Sequence, residues 1–157
     1  MNKYFKVFLS IGICLLAGGL GTIFTISSIP TWYATLIKPP FSPPNYLFGP
    51  VWTILYILMG ISVSIIWLKG TKTKKVRVAL MFFGVQLFLN AIWSPVFFGA
   101  KSLFISLIII GLMWLFILKT ILTFGKINKT ASYLLYPYIA WVSFASILNF
   151  SVWILNR

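Results

Sequence analysis

The sequence predicts an all-α polytopic membrane protein, a five-transmembrane-helix bundle with a structured, Pro- and aromatic-rich first loop. With 61% hydrophobic and 8% charged residues and a mean hydropathy of +1.02, the 157-residue chain lacks the polar surface to cover a water-soluble domain. Apolar runs of about 20 residues or more recur along it, each long enough to cross a hydrocarbon core of about 30 Å. One stretch breaks that pattern: residues 30–56 hold six of the eight prolines together with Trp32, Tyr33, Phe41, Tyr46, Phe48, Trp52 and Tyr56.

The first span, residues 5–29, follows Lys3 and Lys6. Its apolar run exceeds the roughly 7–15 residues of a cleaved signal peptide, so it reads as a retained helix. Ala17 and Gly21 have small-xxx-small spacing, which lets a neighbouring helix approach closely, and the Gly-rich face is the candidate contact for a homodimer. Residues 30–47 form a loop that proline stiffens and keeps from being helical throughout, read as a lid over a pocket between helices. The second span covers residues 48–68, and a basic connector, residues 69–77, follows it. The third, residues 78–98, carries Gln86, Asn90, Trp93, Ser94 and Pro95. A link at residues 99–102 is short enough to make the fourth span, residues 103–124, an antiparallel neighbour of the third. The fifth covers residues 132–155, and the whole chain, residues 1–157, reads as one transmembrane domain. The single broken element is unlike the paired broken helices of inverted-repeat transporters.

Thirteen Lys and Arg stand against no Asp, Glu or His. Carboxylate or histidine acid–base catalysis, His-Asp triads and side-chain proton relays therefore have no residues to run on. No metal site is expected, since Cys14 stands alone and reads as a small buried hydrophobe. The basic connector lies between two spans, where it reads as an orientation signal facing anionic membrane lipids and not as a nucleic-acid site. Lys3, Lys6, Lys69, Lys72, Lys74, Lys75, Arg77, Lys126 and Lys129 fall on one side, against Lys38, Lys101 and Arg157 on the other. The positive-inside rule then makes the N-terminus cytoplasmic and puts the first loop and C-terminus outside, in an inner or plasma membrane.

Gln86, Asn90 and Ser94 share a helix face and need partners in lipid, so they should point into the bundle. Trp52 and Tyr56 share a face of the second span; Tyr138, Trp141, Ala145 and Leu148 share one on the fifth, where small Ala145 leaves space beside Trp141. Such stripes often serve as core or interfacial belt, but rigid aromatic walls with a few amide and hydroxyl groups under a stiff cover suit a flat, mostly apolar ligand such as a tetrapyrrole or sterol.

At these residues the chain resembles the translocator protein family, also called tryptophan-rich sensory proteins or peripheral-type benzodiazepine receptors. The resemblance rests on W-Y-x-x-L-x-K-P at 32–39, P-P at 43–44, V-W-x-x-L-Y at 51–56, L-N-x-x-W-S-P-x-F-F-G at 89–99 and P-Y-x-x-W-x-x-x-A-x-x-L-N at 137–149. It implies a five-helix bundle, often dimeric, whose first loop closes a pocket for porphyrins such as protoporphyrin IX and, in animal members, cholesterol and benzodiazepine-type ligands. The pocket positions it implies are Trp32, Tyr33, Pro44, Trp52, Tyr56, Asn90, Trp93, Trp141, Ala145 and Leu148. Some bacterial members are reported to degrade protoporphyrin under light and oxygen, and the tryptophans implicated match Trp52 and Trp141.

One position departs from the animal pattern. Phe150 stands where the proposed cholesterol motif of the fifth helix has Tyr, and the next basic residue is Arg157, so that motif is not met. The expectation is a membrane receptor or sensor for hydrophobic planar ligands, porphyrin above all, with no resident cofactor. A light- and oxygen-dependent porphyrin-degrading enzyme and a tetrapyrrole or sterol transporter working by facilitated diffusion are the alternatives.

Overall fold

Inside a bilayer, backbone polar groups have no water to pair with, and helices satisfy them within each segment. The computed structural model, which describes residues 1–157, contains helices and no strands. Helix α1 covers Lys3–Ser28 and continues through a wider π-helical turn, Ile29–Tyr33; α2 covers Asn45–Trp67; α3 covers Lys74–Ser94 and continues through a second π turn, Pro95–Gly99. Helix α4 covers Leu103–Gly125, the short α5 Lys129–Tyr133, and α6 Tyr136–Leu155. Taking α5 and α6 together, five segments are long and apolar enough to cross a membrane.

Proline and capping residues explain where these limits differ from the sequence expectation. Pro30 and Pro95 have no N–H for the carbonyl one turn back, and widening the turn relieves the ring's clash without ending the helix. Thr31 Oγ1 donates to Ser27 O (2.8 Å), and Ser28 Oγ reaches across to Phe98 O (3.0 Å), so the two π turns are tied together. The first span therefore runs to Tyr33, and the expected loop of residues 30–47 shrinks to residues 34–44. Helix α3 begins at Lys74 because Thr73 caps it, its Oγ1 accepting from Val76 N. The fifth segment is split in two. Pro137 cannot donate within a continuous helix and instead occupies the first turn of α6, while Asn128 caps α5.

Helix α1 packs along α2 and α3, and α4 along α3 and α6, whereas the backbones of α2 and α6 stay apart and aromatic rings bridge between them. At the end that carries the N-terminus, here the basic end, the interior is solid. Met59, Ile66, Ala79, Ile117, Phe124 and Ala131 are all 0% exposed. Phe83 stacks on Phe124 with centroids 6.0 Å apart, and Ser62 Oγ donates to Ala131 O (2.6 Å). Gly60 lies directly on the backbone of Ile11, where any Cβ would overlap it. At the opposite, loop end, Asn156 clasps the first loop: its Oδ1 accepts from Ile37 N (2.9 Å) and its Nδ2 donates to Ile37 O (2.8 Å).

Candidate functional site

Because the backbones of α2 and α6 stand apart at the loop end, a cavity of about 460 Å³ opens there between α1, α2, α3, α4 and α6. Its floor is a buried chain of polar side chains. Tyr56 OH donates to Asn90 Oδ1 (2.6 Å), Asn90 Nδ2 donates to Tyr138 OH (2.7 Å), and Tyr138 OH donates to Gln86 Oε1 (2.7 Å). Gln86 and Asn90, one turn apart on α3, thus enter the bundle as their spacing predicts, with Gln86 1% exposed and Asn90 6%. In lipid each of these groups needs a partner, and the chain supplies one to every member.

Aromatic rings form the walls. Trp52 stacks on Tyr56 (centroids 5.6 Å) and meets Tyr138 edge-on (6.3 Å), so its ring is locked over the polar floor. Trp93 stacks on Phe97 (4.9 Å) and donates through Nε1 to Asn149 Oδ1 (3.1 Å). Trp141 is braced by Phe48 (6.1 Å) and Phe144 (5.5 Å). Its indole nitrogen differs from the rest of the lining: Nε1 is buried and has no hydrogen-bond partner. The hydroxyls of Thr22, Thr25 and Thr53 already donate to carbonyls of their own helices, Gly18 O, Gly21 O and Gly49 O. The cavity thus offers an apolar, flat-walled space with no ionisable acid or base beyond tyrosine phenols.

Of the ten positions expected from the sequence, Tyr33, Trp52, Tyr56, Asn90, Trp93, Trp141, Ala145 and Leu148 border this cavity. Two do not. Trp32 sits half-buried against the Phe97 ring (5.8 Å), and Pro44 is exposed as the residue preceding α2. Residues 34–44 contribute nothing to the lining; the loop's flanks, Tyr33 and Asn45, do. The Tyr33 ring carries the Lys38 ammonium over its face at 4.6 Å and leans on Phe97 and Phe98.

The sequence reading missed the wall that α1 provides through Leu15, Gly18, Thr22, Ile26 and Ile29, and also Met113 and Asn149. Gly18, Thr22, Thr25 and Ile29 recur at helical spacing, a signal that could have found that wall. Gly18 is required there, since a Cβ would enter the Tyr56 ring. Gly19, Thr22 and Ile26 on α1 and Gly49 and Thr53 on α2 border the cavity and are exposed.

Sequence comparisons agree with this architecture. A sequence model described as the TspO/MBR family matches residues 10–154. The chain is 46% identical over 157 residues to the tryptophan-rich protein TspO of Chlorobaculum tepidum, covering 99% of each. It is 38% identical over 140 residues to the translocator protein of Ovis aries, covering 87% of this chain and 81% of that one. With the tryptophan-rich sensory protein of Cereibacter sphaeroides it shares 37% identity over 126 residues, 80% of this chain and 77% of that one.

Proposed function

The chain belongs to the TspO/MBR family, and on that footing we propose that it is a membrane receptor or sensor whose loop-end cavity binds hydrophobic planar ligands, above all a porphyrin such as protoporphyrin IX. The observation that carries this reading is the cavity's aromatic wall: Trp52 stacked on Tyr56, Trp93 stacked on Phe97, and Trp141 braced by Phe48 and Phe144 all border one space. Trp52 and Trp93 supply stacking surface, and the Tyr56–Asn90 pair presents polar edges at the floor. A volume of about 460 Å³ falls within the range of small-molecule sites. The excess of Lys and Arg at the basic end orients that end inward and the cavity outward.

Light- and oxygen-dependent degradation of the same ligand is a second reading, favoured by one fact: both Trp52 and Trp141 border the cavity. Passage through the bundle is disfavoured by the packed basic half beneath the polar floor. The deciding experiment is a protoporphyrin IX titration of the purified protein in detergent, in darkness and then under illumination, with Trp52→Phe/Trp141→Phe alongside. Saturable dark binding weakened by the double substitution supports the receptor; light-driven loss of porphyrin that the double substitution abolishes supports the enzyme. Absence of saturable binding contradicts both.

A further inference from the structure

A second hollow, of about 360 Å³, lies at the basic end, where Lys6 of α1 and Trp67 of α2 meet residues 69–73 of the connector between α2 and α3. We propose that it is a binding site for the phosphate headgroup of one anionic membrane lipid. It is independent of the porphyrin cavity, which lies at the other end of the same helices.

Three lysines, Lys6, Lys69 and Lys72, are among the seven residues that line this one space. The chain has no Asp or Glu, so no side-chain carboxylate can neutralise any of them. The connector around them is built and not merely basic. Gly70 turns the chain through the left-handed region (φ +88°), a conformation that other residues rarely adopt. Arg77 Nη1 donates to Thr71 O (3.1 Å) and Lys72 O (2.7 Å), so this guanidinium holds the connector's carbonyls towards itself. The N–H groups of Thr71, Lys72 and Thr73 donate to no protein acceptor. Lys6 Nζ is held 5.2 Å from the Trp67 ring centroid, a cation–π contact that keeps this ammonium at the rim.

Ammonium groups and free amides gathered without a carboxylate suit a group that brings several acceptor oxygens and negative charge, which is the chemistry of phosphate. Position favours the lipid as its source. The hollow sits where α1 and α3 begin and α2 ends, and tryptophan at such a boundary marks the headgroup level. Acyl chains of a lipid seated here would continue along the exposed apolar face of α1, where Phe5, Phe8 and Leu9 lie open.

The test is native mass spectrometry of the full chain in detergent with equimolar dioleoyl phosphatidylglycerol and dioleoyl phosphatidylcholine. Three variants are compared: Lys69→Gln/Lys72→Gln; Arg77→Gln, which frees the connector but leaves its lysines; and Lys126→Gln/Lys129→Gln, which removes equal charge at the same end outside the hollow. The wild type is expected to retain one phosphatidylglycerol in preference to phosphatidylcholine. That preference should fall about tenfold or more in the first pair, severalfold in Arg77→Gln, and stay within about twofold in the control pair. An equal fall in both lysine pairs would show diffuse attraction and overturn the site. Displacement of the lipid by millimolar inorganic phosphate would assign the hollow to a free anion and overturn the lipid assignment.

Discussion

The same helices build two unlike halves. Towards the basic end, α1 and α2 approach backbone to backbone at Ile11 and Gly60, Phe83 lies flat on Phe124, and serine hydroxyls stitch α2 and α4 to the α5 region. Towards the loop end, large aromatic rings replace small and branched side chains, α2 and α6 separate, and a cavity of about 460 Å³ remains. Between the halves lies the hydrogen-bonded layer of Tyr56, Asn90, Tyr138 and Gln86. The difference shows how a bundle without a hydrophobic driving force between its helices can maintain a cavity: one half supplies the packing that fixes the helices, and stiff rings prop the other half open.

Substitutions in the two halves should therefore differ in kind. Phe124→Ala, in the closed half, should lower stability by about 3–5 kcal/mol, read as a fall in melting temperature in detergent, because the stacked Phe83 loses its partner and the void cannot collapse. An equal loss from Trp141→Phe, which trims a cavity wall, would erase the contrast. The glycines give the next largest difference. Gly60→Ala should destabilise by about 1–3 kcal/mol, since the new methyl meets the Ile11 backbone. Gly49→Ala, with nothing within 4 Å of the new atom, should be neutral or stabilise by up to about 1 kcal/mol. Thermal melts of the two variants side by side would sharpen or break that distinction. Smaller still is Tyr138→Phe, which leaves Gln86 Oε1 and Asn90 Nδ2 short of a partner. A loss of about 1–2 kcal/mol is expected, with weaker porphyrin binding because Asn90 is no longer held. Unchanged binding in Tyr138→Phe would mean that the layer serves stability alone.

The sequence exposed some of this and hid the rest for physical reasons. Five spans were legible because a bilayer demands about 20 apolar residues per crossing. The inward face of α3 was legible because Gln86 and Asn90 are polar in an apolar setting. The α1 wall was not, since in lipid the outside of a helix is as apolar as its inside and no amphipathic contrast marks the buried face. Gly18, Thr22 and Ile29 therefore read as span, while Gly21, which fits against Ser94, was legible by its spacing. Proline misled in both directions. Pro30 suggested a loop where a π turn carries the helix on to Tyr33, and Pro137 was placed inside a span that it in fact divides. Trp32 and Pro44, placed at the pocket by motif, lie outside the cavity lining, Trp32 against Phe97 and Pro44 just before α2.

The most direct test of the central claim is to fill the open half without touching any polar group. Ala145, half-buried on α6 beside Trp141, borders the cavity, and Ala145→Trp would occupy it. A protoporphyrin IX titration of this variant should show affinity reduced by about 100-fold or more with the melting temperature kept or raised, since the new ring takes the ligand's place. Unchanged affinity in a folded Ala145→Trp protein would contradict the assignment of the loop-end cavity as the ligand site.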